Sequence, residues 1–269
     1  MQGILFIAFG DRYKIEADRA LKSLRIVSPD IPVAVITDKS WKSPYGINHF
    51  ILRDNTESFL CKPLYVSDTP FEETLFVDTD VIFSQDITPV FGLLKYYDVG
   101  VRFDGPQLNE PDGLALHTQC NSGVILYRNN NDVKEMFSIW KDLYRAEIKK
   151  TNATDLRGLG DQRYLSIAIA KSKARSVHLA TYLNFAIFET IITYSPPFIY
   201  HGRRPEMEML HSVISRNWDN VCDYHPRLWL PNIKGLLPAG VRRSDPLLAA
   251  ALILRRTYNS VRWILKKLK

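Results

Sequence analysis

The sequence predicts an α/β protein with a mainly parallel central sheet, and two observations support this fold class. Short, continuous apolar runs alternate with longer segments of helical periodicity over residues 4–170, which is typical of parallel strands joined by crossover helices. The composition is 46% hydrophobic and 24% charged over 269 residues. Such a chain has enough apolar material for a sizeable core and does not resemble a disordered protein.

The predicted elements follow one another in order along the chain. The first strand is the apolar run at residues 4–9, and a helix follows at residues 15–27. Further strands are predicted at residues 31–37, 48–52, 74–83, 98–103 and 122–127, and further helices at residues 133–148 and 161–170. In sheets of this class, ligands bind beyond the carboxyl ends of the strands. The residues that directly follow the strands are therefore the candidates for a functional site.

Positive charge is concentrated at the C-terminal end. The chain carries a net charge of +6, and residues 241–269 contain eight basic residues and one acid, which leaves the remainder at −1. Asp245 and Pro246 are typical of a helix start, and the apolar residues that follow recur at spacings of three and four. These features predict a basic amphipathic helix over residues 241–269.

The expected partner of this helix is an anionic membrane surface, contacted through residues 245–269. The alternative is a helix packed on the body of the protein or on a second copy of the chain, as a homo-oligomer. Nucleic acid is not expected as a partner, because the rest of the sequence has no supporting excess of basic residues.

The cysteines and the N-terminal segment predict a cytoplasmic protein. Cys61, Cys120 and Cys222 are far apart, so reduced thiols are expected rather than a zinc site or disulfides. The short apolar run after Met1 has no basic start, so no signal peptide is expected. The longest apolar run, residues 247–254, is too short to span a bilayer. The expected location is the cytoplasm, with peripheral attachment to the inner face of the membrane.

Two aspartates interrupt the apolar run at residues 74–83. Charged residues such as Asp78 and Asp80 are rarely buried unless they are paired or bind a metal. Side chains two residues apart on extended chain point the same way, so this pair can share a hard cation such as Mn²⁺ or Mg²⁺. Turn or cap aspartates are the alternative, and the flanking buried strand favours the metal site.

Several motifs in order resemble GT-A glycosyltransferases, and in particular glycosyltransferase family 8, the group of glycogenin and the lipopolysaccharide galactosyltransferases. The motifs lie at residues 8–13, Lys62-Pro63-Leu64-Tyr65, Leu75-Phe76-Val77-Asp78-Thr79-Asp80, Cys120-Asn121-Ser122-Gly123-Val124, Gly160-Asp161-Gln162 and Tyr200-His201-Gly202. The resemblance covers roughly residues 4–202. It implies a GT-A fold, the Rossmann-like fold of nucleotide-diphospho-sugar transferases, here with a C-terminal helical extension.

The resemblance also implies roles for individual residues. The metal ligands would be Asp78, Asp80 and His201, which would hold Mn²⁺ or Mg²⁺ beside the diphosphate of the donor. The catalytic residues at the sugar would be Asp161, Gln162 and Asp104, with Asp112 as the alternative to Asp104. The remaining contacts with the nucleotide sugar would come from Ala8, Phe9, Asp11, Tyr13, Lys62, Thr79, Asn121, Ser122, Gly123 and Gly202.

Several of these residues have a purely structural alternative. Asp161 is also a good N-cap for the helix that follows, and Tyr13 is compatible with packing at a helix start. A lysine before proline, such as Lys62, is usually a surface residue. Asn121 and Gly123 fit an ordinary turn at the start of a strand. The order and spacing of the motifs favour the functional interpretation.

The implied activity is transfer of a hexose from a UDP-sugar to a hydroxyl of a glycan, a lipid-linked sugar or another acceptor, with retention of configuration. The catalytic domain would occupy residues 1–205 and an acceptor-side segment residues 206–240. One alternative is a non-catalytic module that binds sugar nucleotide or metal and is tethered to a membrane. Another is a nucleotidyltransferase, which would need a glycine-rich loop where this chain has only Gly10-Asp11-Arg12-Tyr13.

Overall fold

The computed structural model describes residues 1–54, 61–106, 118–151, 160–186, 191–193, 197–202 and 227–229. The chain divides into two compact units. The first unit is Met1–Phe185 with Pro197–Arg203, and the second is Ala186–Pro196 with Arg204–Lys269. The candidate site lies in the first unit.

A central sheet forms the frame of the first unit. Within the described residues it consists of β1 (Gln2–Ile7), β2 (Val33–Thr37), β3 (His49–Leu52), β4 (Glu73–Val77), β6 (Val99–Pro106), β7 (Thr118–Arg128) and β8 (Ser176–His178). Their order is β3-β2-β1-β4-β7-β6-β8. Neighbouring strands are parallel except around β7, which runs antiparallel to both β4 and β6. The prediction of a mainly parallel sheet is confirmed, and β7 is its exception.

Helices cover both faces of this sheet, as expected for an α/β layer architecture. They are α1 (Asp11–Val27), α2 (Cys61–Tyr65), α3 (Asn131–Thr151) and α4 (Gln162–Lys171), with 3-10 helices at Thr88–Lys95 and Thr181–Leu183. Leu21 of α1 packs on the face that carries Phe6, whereas Trp140 of α3 packs on the face that carries Leu5. All four side chains are fully buried, and each contributes about 2–3 kcal/mol of hydrophobic stabilisation.

The helix α1 begins at Asp11, four residues earlier than predicted. Gly10 follows β1 closely and has a φ of 78°, which glycine adopts without strain. The Lys14 amide then donates to the Gly10 carbonyl oxygen at 3.2 Å. Asp11 and Tyr13 therefore lie in the first turn of a helix and not in a loop.

The single strand predicted at residues 74–83 is two strands in two sheets. β4 ends at Val77, and β5 (Val81–Phe83) pairs antiparallel with β11 (Ile199–His201). The backbone between the two strands is also fixed, because the Asp78 amide donates to the Gly123 carbonyl oxygen at 2.8 Å and the Gly202 amide donates to the Asp80 carbonyl oxygen at 2.9 Å. The two aspartates therefore lie at the junction of the two sheets.

The remaining short strands are β9 (Phe185–Ala186), β10 (Ile191–Thr193) and β12 (Arg227–Trp229), and β10 pairs antiparallel with β12 in the second unit. Apart from β12, the predicted segment 206–240 and the predicted helix 241–269 lie outside the described residues. Cys61 and Cys120 are buried free thiols, and Cys222 lies outside the described residues. Within the described ranges, no helix combines the length and the apolar character of a membrane span.

Candidate active site

Asp78, Asp80 and His201 converge at the sheet junction. Asp78 directly follows β4, and Asp80 directly precedes β5. His201 is paired in register with Val81, which brings its imidazole beside the two aspartates. The His201 Nε2 atom lies 3.6 Å from Asp78 Oδ2 and 3.6 Å from Asp80 Oδ1.

This group has the composition of a divalent cation site. One ligand atom from each of the three residues lies within 4.8 Å of the other two, and no other such group of acidic, histidine or cysteine residues occurs among the described residues. His201 is only 8% exposed, and its Nδ1 lies 2.9 Å from Asn184 Oδ1, so Nε2 is the atom that faces the carboxylates. Two carboxylate oxygens and one imidazole nitrogen suit Mn²⁺ or Mg²⁺.

The charges of this group strongly perturb its protonation equilibria. Burial alone would lower the pKa of His201, but the hydrogen bonds and charges of Asp78 and Asp80 raise it to about 9. Burial alone would raise the pKa of Asp78, but the positive charge of Lys62 and contact with His201 hold it well below its usual range. The two carboxylates therefore attract positive charge strongly.

Lys62 places an ammonium group beside Asp78. It lies on α2, and its Nζ is 2.9 Å from Asp78 Oδ1, 3.2 Å from Ser122 Oγ and 3.7 Å from Asp161 Oδ2. Burial alone would lower the pKa of Lys62, but the charges of Asp161 and Asp78 raise it above its ordinary value. Lys62 is thus a partly buried cation of the site and not a surface lysine.

Asp161 faces the site although it occupies the N-cap position of α4. Within the described residues its side chain makes no capping hydrogen bond, and it instead accepts from Ser122 Oγ at 2.8 Å. Its backbone carbonyl accepts from Trp140 Nε1 at 2.9 Å, which anchors it to α3. The Asp161 side chain therefore does not act as the N-cap of α4, which was the structural alternative.

The next residue, Gln162, carries a buried acceptor. Its side-chain oxygen Oε1 accepts no hydrogen bond from the residues that the structure describes. A buried polar atom without a partner is unfavourable by about 1–3 kcal/mol, so it is compatible with a ligand that donates a hydrogen bond there. The start of α4 therefore supplies a carboxylate and an amide acceptor that none of the described residues occupies.

The motif Asn121-Ser122-Gly123 lies within β7 and not in a turn. Asn121 Oδ1 accepts from the Gly123 amide at 2.9 Å. A Cβ atom on Gly123 would lie 2.1 Å from His201 Cε1 and 2.7 Å from Nε2. The resemblance implies a contact between Gly123 and the nucleotide sugar, and the close approach that the structure shows is to the His201 ring.

The residues after β1 differ widely in their exposure to solvent. Ala8 is fully buried and its amide donates to the Ile36 carbonyl oxygen at 2.9 Å, whereas Phe9 is 8% exposed. The Asp11 carboxylate is almost completely exposed, and Tyr13 is 37% exposed with the Arg12 guanidinium 5.9 Å from its ring centroid. An exposed aromatic ring at the carboxyl end of β1 is compatible with base stacking.

Three further predicted residues have defined partners. The Thr79 hydroxyl donates to Glu16 Oε2 on α1 at 2.8 Å. Asp104 lies within β6, and its Oδ1 is 3.0 Å from Arg102 NH2. Gly202 has a φ of 140°, which favours glycine. The alternative to Asp104, Asp112, lies outside the described residues.

The sequence interpretation missed Asp38, Lys14 and Asn184. Asp38 follows β2, and its Oδ1 lies 3.0 Å from Lys14 Nζ and 3.3 Å from the Gly10 amide nitrogen. Burial raises the pKa of Asp38, but the hydrogen bonds from Lys14, Gly10 and Thr37 outweigh it and lower the pKa to about 2. Its position after a buried strand could have identified it. No motif in the sequence marks Asn184.

The sequence around this site matches the model of a known protein family. The family model described as nucleotide-diphospho-sugar transferase matches residues 73–225, which is more than half of the chain and includes Asp78, Asp80 and His201. No curated protein matches the sequence significantly.

Solved glycosyltransferase structures share the fold at low sequence identity. The galactosyltransferase LgtC, in complex with donor and acceptor sugar analogues, aligns with a TM-score of 0.52 at 17% identity, over 76% of this chain and 88% of its own. GlyE from Streptococcus pneumoniae TIGR4 aligns with a TM-score of 0.56 at 17% identity, over 81% of this chain and 61% of its own. Mouse xyloside xylosyltransferase 1 aligns with a TM-score of 0.50 at 12% identity, over 76% of this chain and 98% of its own. The predicted resemblance to GT-A glycosyltransferases is confirmed.

Proposed function

The chain belongs to the nucleotide-diphospho-sugar transferase family, and we propose that it is a metal-dependent glycosyltransferase that uses a UDP-sugar. It transfers a hexose from this donor to a hydroxyl of a glycan, a lipid-linked sugar or another acceptor, with retention of configuration. The hexose and the retention rest on the resemblance to glycosyltransferase family 8, and the neighbouring galactosyltransferase supports the hexose.

The observation that carries this proposal is the convergence of Asp78, Asp80 and His201 within 4.8 Å. Their oxygen and nitrogen ligands fit a hard divalent cation, Mn²⁺ or Mg²⁺. When bound, such a cation neutralises the charge that develops on the diphosphate leaving group. His201 contributes Nε2, and the two aspartates contribute oxygens from the two ends of the sheet junction.

The sugar-binding side of the proposal rests on the residues around Lys62. Its ammonium group lies beside Asp78 and Asp161, where it can bind a donor phosphate or a sugar hydroxyl. Asp161 orients hydroxyls through its carboxylate. Gln162 offers its Oε1, which has no partner among the described residues, near the reacting carbon. Asp104, held by Arg102, contributes a further carboxylate to the sugar.

The nucleoside side of the proposal lies at the carboxyl ends of β1 and β2. Tyr13 stacks on uracil, and Asp11 accepts from the base or the ribose. The resemblance also assigns Ala8 and Phe9 to this side, but Ala8 is fully buried, so Phe9 is the one that contributes backbone groups. The neighbouring pair Lys14 and Asp38 lies at the same edge of the sheet and supports a polar binding site there. Thr79, Asn121, Ser122, Gly123 and Gly202 complete the proposed donor contacts.

Calorimetry with UDP tests this proposal on the intact chain, with and without Mn²⁺. We expect binding that requires Mn²⁺ and is abolished by Asp80→Ala. The control is Asp142→Ala, which removes an exposed carboxylate from α3 and is expected to leave binding unchanged. Unchanged UDP affinity in Asp80→Ala would exclude the metal site and favour a non-catalytic module. A panel of UDP-hexoses, assayed for released UDP, then identifies the sugar.

We also propose that residues 1–205 form the catalytic domain, residues 206–240 shape the acceptor side, and residues 245–269 bind an anionic membrane surface at the inner face of the membrane. The support for the last part is the net charge of +7 in residues 241–269. Truncation before Asp245 is expected to preserve donor hydrolysis but abolish binding to phosphatidylserine vesicles. Persistent vesicle binding by the truncated chain would exclude the tail as the anchor.

A further inference from the structure

A chain of buried hydrogen bonds lies behind His201, on the side away from the carboxylates. Asn184 Oδ1 lies 2.9 Å from His201 Nδ1, and Asn184 Nδ2 donates to Asn121 Oδ1 at 3.0 Å. Asn121 Oδ1 also accepts from the Gly123 amide at 2.9 Å. Asn184 is fully buried, and Asn121 and His201 are 5% and 8% exposed. Water therefore has little access to these groups.

The backbone amide of Gly123 determines which atom donates and which accepts in each of these hydrogen bonds. A backbone amide can only donate, so the Asn121 atom that faces it is the oxygen. That oxygen requires a donor from Asn184, which is the NH₂ group, and the other end of the Asn184 amide is then an oxygen. An oxygen can only accept, so His201 Nδ1 carries a proton.

We propose that Asn184 is a positioning residue that holds the Nδ1 proton of His201 and thereby directs the Nε2 lone pair to a divalent cation between Asp78 and Asp80. In the other neutral tautomer, the Nδ1 lone pair would face the Asn184 oxygen, and Nε2 would carry the proton. Ligating histidines in proteins generally donate their second ring N–H to a fixed acceptor, and loss of that acceptor weakens metal binding by about 10- to 100-fold.

The backbone of Asn184 is itself held in place by two hydrogen bonds. Its backbone carbonyl accepts from Arg102 NH1 at 2.8 Å, and its amide donates to the Thr181 carbonyl oxygen at 3.2 Å. Arg102 also pairs with Asp104, the proposed sugar contact. The position of the histidine thus depends on a residue that is 17 positions away in sequence and belongs to none of the recognised motifs.

The first test measures Mn²⁺ affinity by calorimetry in Asn184→Leu, which removes the acceptor at nearly constant size. We expect affinity to fall by about 10- to 100-fold. The matched control is Asn130→Leu, because Asn130 also makes two hydrogen bonds, to Asp98 and from the Val133 amide, but lies away from the site. It is expected to bind Mn²⁺ like the wild type. Affinity within twofold of wild type in Asn184→Leu would overturn the proposal.

A second variant separates positioning from general destabilisation. Asn184→Asp keeps an acceptor for His201 but places an oxygen against Asn121 Oδ1, so it disturbs the fold at least as much as leucine does. A positioning role predicts tighter Mn²⁺ binding in Asn184→Asp than in Asn184→Leu, whereas a merely structural role predicts equal or weaker binding. The latter order would overturn the proposal.

The metal part of this proposal rests on the proposed function. A third readout uses metal-free protein and therefore does not depend on that function. In ¹⁵N-histidine protein, the Nδ1–H of His201, identified by its absence in His201→Gln, is expected as a slowly exchanging NMR signal that Asn184→Leu abolishes. If the wild type binds no divalent cation, the proposed function fails, and this signal alone decides whether Asn184 fixes the histidine. Its persistence in Asn184→Leu would overturn the proposal.

Discussion

Gly123→Ala is expected to displace His201, the proposed metal ligand, without changing the imidazole itself. The added Cβ would lie 2.1 Å from His201 Cε1, 2.7 Å from Nε2 and 2.8 Å from Nδ1, whereas carbon atoms in contact are about 3.5 Å apart. The ring must therefore move by at least about 1.4 Å, because β7 is held by its pairing with β4 next to Asp78. Metal–ligand distances tolerate only about 0.2 Å, so the displaced His201 would no longer reach the proposed metal position.

The measured quantities are the Mn²⁺ dissociation constant and the free energy of unfolding in urea. We expect affinity to weaken by at least about tenfold, which corresponds to roughly 1.4 kcal/mol, and stability to fall by about 1–3 kcal/mol through overpacking. The control is Gly92→Ala, where an added Cβ has no atom within 4 Å, and both quantities should stay near wild type. A folded Gly123→Ala protein that binds Mn²⁺ with unchanged affinity would refute the reasoning.

Two further predictions concern the charges of the site. The pKa of His201 is about 9 in the folded protein against about 6.5 when unfolded, so its charge stabilises metal-free protein fully below pH 6.5, and this stabilisation is lost as the pH rises through 9. His201→Gln should thus lower the free energy of unfolding by roughly 3 kcal/mol more at pH 6 than at pH 10. An equal loss of unfolding free energy at the two pH values would contradict this prediction. Lys62→Met leaves the partly buried Asp78 and Asp161 without their shared cation, so metal-free protein should lose about 1–3 kcal/mol and recover part of it with Mn²⁺. Thermal unfolding with and without Mn²⁺ measures both effects, and an unchanged melting temperature would argue against the ion pairs.

The elements that could be predicted from sequence are those with a strong local pattern. The run at residues 31–37 predicts a strand buried on both faces, and every residue of β2 is buried. The helical periodicity at residues 133–148 predicts α3, which is longer by a few residues at each end. In both cases the hydrophobic spacing alone determines the secondary structure, because each element buries its apolar side chains against the sheet.

Other features depend on tertiary contacts that no local pattern encodes. The five-residue helix α2 is too short for a periodic pattern, yet it carries Lys62 to Asp78. The antiparallel direction of β7 depends on its pairing with β4 and β6 and not on its composition. Asn184 has no neighbouring motif, and its role is visible only once His201 and Asn121 lie on either side of it.

The D-x-D spacing has a structural reason beyond the shared direction of two side chains. Asp78 directly follows a strand of the central sheet, and Asp80 directly precedes a strand that pairs with the segment containing His201. The backbone hydrogen bonds to Gly123 and from Gly202 hold Asp78 at the end of one sheet and Asp80 at the start of the other, with only Thr79 between them. A cation bound by all three ligands therefore joins the two sheets at their junction. Because such a cation binds only the folded arrangement, its binding free energy also stabilises the packing of one sheet on the other.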